Sequence, residues 1–157
     1  LEGLPGTGKT RTTRQIVRQS QKAGYTVIGV APSSSAALQL EKDAGIIAKN
    51  ASLWRKSWLE AAGEKFELVM RDDYFLEEKY QAKNSYLTDK HIMIIDEASM
   101  CDLTSLHYLL SEASRAGAKV IMLGDRNQLS AVGYAGGLQK AVKECGSVQL
   151  VQTQRQN

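Results

Sequence analysis

Histidine and cysteine are scarce in this sequence. The two histidines, His91 and His107, stand apart, which leaves no histidine cluster for a metal site. His91 is placed to begin a strand and His107 to sit on a helix face. The two cysteines, Cys101 and Cys145, lie at no metal-binding or redox spacing. Both read as free thiols that pack helices in a reducing cytoplasm. No apolar run approaches the roughly 20 residues that a membrane span needs, and no secretory signal pattern opens the chain. The reading is therefore of a cytoplasmic protein with no membrane partner. An excess of one charge is missing too. Twenty Lys and Arg against seventeen Asp and Glu leave a formal charge of +3, which is compatible with a nucleic-acid partner but does not argue for one. There is no internal repeat and no low-complexity tract.

What is present is concentrated at the start. Gly3-Leu4-Pro5-Gly6-Thr7-Gly8-Lys9-Thr10 fits the G-x-x-x-x-G-K-[ST] pattern of a phosphate-binding loop. Gly6 and Gly8 let the backbone fold tightly enough for successive N–H groups to cradle phosphate oxygens. Lys9 brings a point charge to the outer phosphates of ATP. The Thr10 hydroxyl is placed to ligate the Mg2+ that bridges them. A helix starting near Gly8 would add its positive dipole end. Such a loop ordinarily follows a buried strand of about five apolar residues, yet only Leu1 and Glu2 precede it and there is no initiator Met. The expectation is a fragment of a longer protein with its first strand cut short.

At 157 residues the chain suits one α/β domain with a sizeable core. Thr10 to Ala23 reads as a helix ended by Gly24. Thr26 to Ala31 is a β-branched run stopped by Pro32, hence a buried strand. Ser33, Ser34 and Ser35 offer N-cap hydroxyls to a helix that Gly45 ends. His91 to Ile95 and Lys119 to Leu123 are further buried strands. Between them Asp102 caps a helix carrying Leu103, Leu106, Leu109, Leu110 and Ala113, which Gly117 ends. Leu138, Ala141, Val142 and Cys145 mark another helix face, and Val148 to Val151 a last strand. Alternating strands and crossover helices describe βαβ units on a mainly parallel sheet with helices on both faces. The stretch 46–90 changes character. Trp54, Trp58, Phe66, Tyr74, Phe75, Tyr80 and Tyr86 stand there among many charges, with Phe66, Val69, Leu76, Tyr80 and Leu87 near helical spacing. It reads as a helical insertion or subdomain on a sheet edge, its aromatics either a base-stacking surface or a small satellite core.

Ile94-Ile95-Asp96-Glu97 puts two carboxylates at the C-terminal end of a buried strand, where open α/β sheets bind ligands. Asp96 would hold magnesium opposite Thr10, and Glu97 would orient or deprotonate an attacking water. Leu123-Gly124-Asp125-Arg126-Asn127-Gln128-Leu129 repeats that geometry one strand later, with Gln128 as a candidate γ-phosphate sensor and Asp125 to position it. Tyr134 follows, able either to stack on a base or to pack.

These residues carry a family resemblance. The loop Gly3 to Thr10, Ala31-Pro32-Ser33-Ser34-Ser35-Ala36-Ala37, Asp96-Glu97-Ala98-Ser99, Gly124-Asp125 with Gln128-Leu129, and Gln154-Arg155-Gln156 stand in the order seen in superfamily 1 helicases. They most resemble the helicase portion of conjugative relaxases, which nick and unwind plasmid DNA. The resemblance implies a RecA-like P-loop fold. Lys9 and Thr10 would bind nucleotide phosphates and magnesium, Asp96 and Glu97 would serve metal and water, and Gln128 and Arg155 would reach the γ-phosphate. It also assigns Pro32, Ser33 and Ser34 to single-stranded DNA. The sequence departs there, since relatives usually carry Gly or Lys where Ser34 and Ser35 stand. A second motor domain of the same polypeptide would complete the nucleotide cleft, and no histidine cluster for DNA nicking is present. Two other functions remain open at this point: another phosphate-loop enzyme such as a small kinase, and a nucleotide-binding domain without activity.

Overall fold

A computed structural model describes residues 2–3, 8–61, 86–124 and 143–150. Two strands form its middle. β2 (Thr26–Ala31) and β4 (His91–Ile95) pair in parallel, with Val27 opposite Ile92 and Gly29 opposite Ile94. β3 (Ile47–Asn50) adds to the free side of β2 and β5 (Lys119–Met122) to the free side of β4, both in parallel. The order is β3-β2-β4-β5. Chain order therefore steps one way from β2 to β3 and the other way to β4, which creates a switch point at the C-terminal ends of β2 and β4. β1 (Glu2–Gly3) and β6 (Gln149–Leu150) form a separate parallel pair.

Strand periodicity sorts the core into two faces. Ile28, Val30, Met93 and Ile95 point one way and pack with Trp54 and Trp58 of α3 (Ala51–Ala61) and with Leu106, Leu109 and Ala113 of α4 (Leu103–Ala116). Val27, Ile92 and Ile94 point the other way, toward Val17 of α1 (Lys9–Lys22), while Ala31 and Ala48 meet Ala37 and Leu40 of α2 (Ser34–Ala44). Because both faces are covered, these strands read as continuous apolar runs rather than alternating ones. Val30, Met93, Ile94 and Ile95 are wholly buried, each contributing about 1.5–3 kcal/mol of apolar transfer free energy where the side chain is large.

Gly29 permits the tight seat of α2. A Cβ there would lie 2.8 Å from both the Ala48 Cβ and the Leu40 Cδ2, closer than carbon atoms can pack. The helix ends follow local chemistry. Ser33 and Asp102 accept from the N–H groups of Ala36 and Ser105 as N-caps of α2 and α4, and Gly45 and Gly117 close the same helices in left-handed conformations. No described helix is long and apolar enough to cross a membrane.

The segment expected as an insertion begins differently. Residues 47–50 are the edge strand β3, and α3 follows directly. Trp54 and Trp58 are 3% and 2% exposed and stack with ring centroids 5.7 Å apart. The Trp54 Nε1–H donates to the Gly29 carbonyl at 2.8 Å, so a core hydrogen bond consumes the polar edge of that ring. These two tryptophans belong to the main core and present no stacking face to a base. Residues 62–85, including Phe66, Tyr74, Phe75 and Tyr80, lie outside the described residues. Cys101 packs partly buried against the α3–α4 core. Cys145, expected to pack a helix, is exposed.

Candidate functional site

The site is built at the C-terminal edge of the sheet. Asp96 directly follows β4, and its backbone N–H donates to the Val30 carbonyl at 2.8 Å, carrying the β2–β4 ladder one residue past the strand. Ala98 N–H then donates to the Leu123 carbonyl at 2.9 Å, and Leu123 N–H to the Ile95 carbonyl at 2.8 Å. The Asp96-Glu97 turn is thus pinned on one side by β2 and on the other by the chain leaving β5. Glu97 makes the turn with φ at 48°, the one non-glycine residue described in the left-handed region. For a residue with a Cβ such a conformation carries strain of order 1–3 kcal/mol, and residues of this kind cluster at functional sites. The Asp96 Oδ1 accepts from the Glu97 N–H at 2.9 Å, which fixes the aspartate rotamer.

The facing wall is the start of α1. Gly8, at φ 83°, precedes the helix without any side-chain cap. The first-turn N–H groups are therefore not covered by a capping side chain, and the positive end of the helix dipole stands there. Thr13 is buried and its Oγ1 donates to the Lys9 carbonyl at 2.9 Å.

Between these walls lies a cleft of about 270 Å³ lined by Lys9, Thr10, Thr13, Asp96, Glu97 and Gly124, with Ala36, Gln39, Leu40 and Asp43 of α2 along its side. Burial is the main influence on Asp96 and raises its pKa; the Glu97 N–H and the Lys9 ammonium pull it down, and the Asp43 charge raises it further. The donor set suits a hard divalent cation, with a threonine hydroxyl and a carboxylate both reaching the cleft. Among the described residues no group of three or more His, Cys, Asp or Glu could hold a metal by itself.

The structure thus brings together Lys9, Thr10, Asp96, Glu97 and Gly124, with Gly8 at the head of α1. Gly3 lies in β1, while Pro5, Gly6, Thr7, Asp125, Gln128, Tyr134 and Arg155 fall outside the described residues. Pro32, Ser33 and Ser34 sit at the entry to α2. The Ser33 Oγ caps the helix and lies 3.0 Å from the Ser35 Oγ, and the Ser34 Oγ accepts from Asn50 at 2.9 Å. Sequence reasoning missed Gln39 and Asp43. Their signal was the spacing Ala36, Gln39, Leu40, Asp43, one stripe of a helix, but nothing in the sequence says which element that stripe faces.

Residues 1–157 match the family described as AAA domain. The chain is 29% identical over 154 residues to a probable conjugal transfer protein TraA of Sinorhizobium fredii, covering 98% of this chain and 12% of that protein. It is 29% identical over 138 residues to the RecBCD enzyme subunit RecD of Buchnera aphidicola, covering 83% of this chain and 22% of that one. Among solved structures it is similar to a Bacteroides Pif1 in complex with ADP-AlF4, at TM-score 0.50 and 24% identity, covering 90% of this chain and 31% of that chain. The fold is accordingly a RecA-like phosphate-loop α/β domain, and the resemblance to superfamily 1 helicases and conjugative relaxases holds. The chain spans only a small part of the length of the curated relatives it matches.

Proposed function

We propose, starting from a chain that belongs to the AAA domain family, that it is the first motor domain of an ATP-dependent DNA helicase or translocase within a conjugative relaxase. One observation carries this reading: the Asp96-Glu97 turn, clamped between β2 and the end of β5, faces Lys9 and Thr10 across a single cleft. A carboxylate pair at that place has no use in merely holding a phosphate. It suits phosphoryl transfer to water.

In this mechanism the loop backbone, Gly3 and Pro5 to Gly8, wraps the phosphates of ATP, and the Lys9 ammonium meets the outer ones. Thr10 and Asp96 are the residues that would hold Mg2+. When bound, the ion neutralises charge that builds on the phosphate oxygens. Glu97 accepts a proton from, or orients, the attacking water. Its strained backbone fixes where that carboxylate stands. Gln128 and Arg155 are assigned to the γ-phosphate, and a second motor domain of the same polypeptide closes the other side of the cleft. Pro32, Ser33 and Ser34, at the entry to α2, and Tyr134 are assigned to single-stranded DNA. Hydroxyl and backbone N–H groups there would bind phosphates and carry no sequence information. An insertion or subdomain within 46–90 and a cytoplasmic location complete the reading.

The test is ATP hydrolysis by the natural full-length polypeptide with and without single-stranded DNA. Stimulation by DNA, abolished by Lys9→Ala, is expected. Hydrolysis that ignores DNA but transfers phosphate to a small-molecule acceptor would instead identify a phosphate-loop kinase. Undiminished hydrolysis in Lys9→Ala would sink the site itself.

A further inference from the structure

The wall contributed by α2 does not belong to the phosphate loop or to the carboxylate turn, and its chemistry is unexpected for a site that takes a triphosphate. Among the described residues the cleft lining carries one cation, Lys9, against three carboxylates, Asp43, Asp96 and Glu97. A lining of that sign repels a polyanion. Asp43 also occupies a poor position in its own helix. It lies in the last turn of α2, before the Gly45 cap, where the negative end of the helix dipole disfavours a carboxylate. Its carboxylate is held near Arg14 of α1, at 3.8 Å, and the Arg14 Nε–H donates to the Asp43 carbonyl. The same carboxylate remains a third exposed. One turn earlier, Gln39 also lines the cleft, and its side-chain amide has no hydrogen-bond partner among the described residues.

We propose that Asp43, with Gln39 beside it, makes nucleotide binding in this cleft magnesium-dependent by accepting hydrogen bonds from the waters around the metal. The inference rests on the nucleotide–magnesium reading above and deepens it. Magnesium gives up its waters reluctantly and keeps several of them in protein sites. Metal-bound waters only donate, so the wall they face must be made of acceptors. A carboxylate and an amide oxygen on one helical stripe supply acceptors where Thr10 and Asp96 do not reach. The Arg14 contact keeps the Asp43 side chain against α1, and so beside Lys9 and Thr10 rather than in bulk solvent. Without the metal, the same carboxylate acts against the phosphates. Asp43 therefore raises the affinity for the metal complex and lowers it for free nucleotide.

The experiment is equilibrium binding of a fluorescent ADP analogue to the natural full-length polypeptide, titrated with Mg2+ from an EDTA baseline. Asp43→Asn removes the charge and keeps the shape. It is expected to raise the half-saturating Mg2+ about tenfold, the lower end of what loss of an outer-shell partner costs, while binding in EDTA holds or tightens. Gln39→Leu gives an independent reading from an exposed position and is expected to shift the Mg2+ requirement the same way by less. Equal weakening with and without Mg2+ would mark Asp43 as a purely structural partner of Arg14 and overturn the proposal. So would a Mg2+ requirement left unchanged by Asp43→Asn or, should that variant not fold, by Gln39→Leu. If the unsubstituted protein binds nucleotide without regard to Mg2+, the magnesium reading of the whole site falls, and Asp43's role with it.

Discussion

The backbone N–H of Asp96 donates to the carbonyl of Val30 at 2.8 Å. That single bond places a carboxylate at the sheet's switch point, because it extends the β2–β4 ladder by one residue before the chain turns at Glu97. Everything reactive in the described site is arranged about this junction. Lys9 and Thr10 approach from α1 on one side, and Gly124 leaves β5 on the other.

Glu97→Gln should separate binding from chemistry. The amide keeps the size of the side chain but cannot take a proton, and loss of a general base costs about 10²–10⁴ in rate. ATP hydrolysis by the full-length polypeptide is expected to fall within that range while binding of the nucleotide is retained. Turnover within a factor of about two of the parent would remove Glu97 from the chemistry.

Asp96→Asn should make the nucleotide-free protein more stable and less active. Burial raises the folded-state pKa of Asp96 above its ordinary value. A group shifted that way favours the fold while protonated, and that contribution is lost as pH rises through the folded pKa. At neutral pH the ionised carboxylate is therefore a destabilising group, held for function. The asparagine variant is expected to melt above the wild type at neutral pH, with the gap closing in acid where Asp96 is itself protonated. Its response to Mg2+ and nucleotide should be lost. A lower melting temperature at neutral pH would contradict this.

Gly29→Ala tests how closely α2 is seated. The added Cβ meets the Ala48 Cβ and the Leu40 Cδ2 at 2.8 Å and the Ile46 Cδ1 at 3.2 Å; the Leu40 and Ile46 methyls can turn aside, but the Ala48 Cβ is fixed to the backbone and cannot withdraw without moving β3. Overpacking of this kind costs about 1–3 kcal/mol. The denaturation midpoint should fall accordingly, and nucleotide binding should weaken with it, since α2 forms one wall of the cleft. An unchanged midpoint would mean that α2 sits farther from the sheet.

The two thiols should react at very different rates. Burial, followed by the charges of Asp102, Glu97 and Asp96, pushes the Cys101 pKa up to about 11, so its thiolate is rare near pH 8. Cys145 is exposed. Brief alkylation at pH 8 followed by peptide mapping should label Cys145 and spare Cys101 until the protein is unfolded. Equal labelling in the native state would show that the α3–α4 face is open.

Much of the site was legible because its parts are local. Gly8, Lys9 and Thr10 are neighbours in the chain, and so are Asp96 and Glu97. The run His91 to Ile95 declares a buried strand whose end must present whatever follows it. The β3 strand was hidden because four residues, Ile47-Ala48-Lys49-Asn50, carry too short a pattern to separate an edge strand from a loop. Trp54 and Trp58 stood between a stacking surface and a small satellite core for a related reason. Their place in the main core shows only once α3 is seen to lie on Ile28 and Val30.

The sequence by itself determined the order of the nucleotide motifs, the parallel α/β class and the position of Asp96 at a strand end. Each of these follows from covalent neighbours or from a period of two or 3.6 residues. Only the tertiary structure decided that β3 closes the sheet on β2, that the Trp54 indole spends its N–H on the Gly29 carbonyl, and that Gln39 and Asp43 face Lys9. Those relationships join elements far apart in the chain, and they depend on how closely two helices can approach one sheet. That distance is set by packing at places such as Gly29, and no spacing along the chain encodes it.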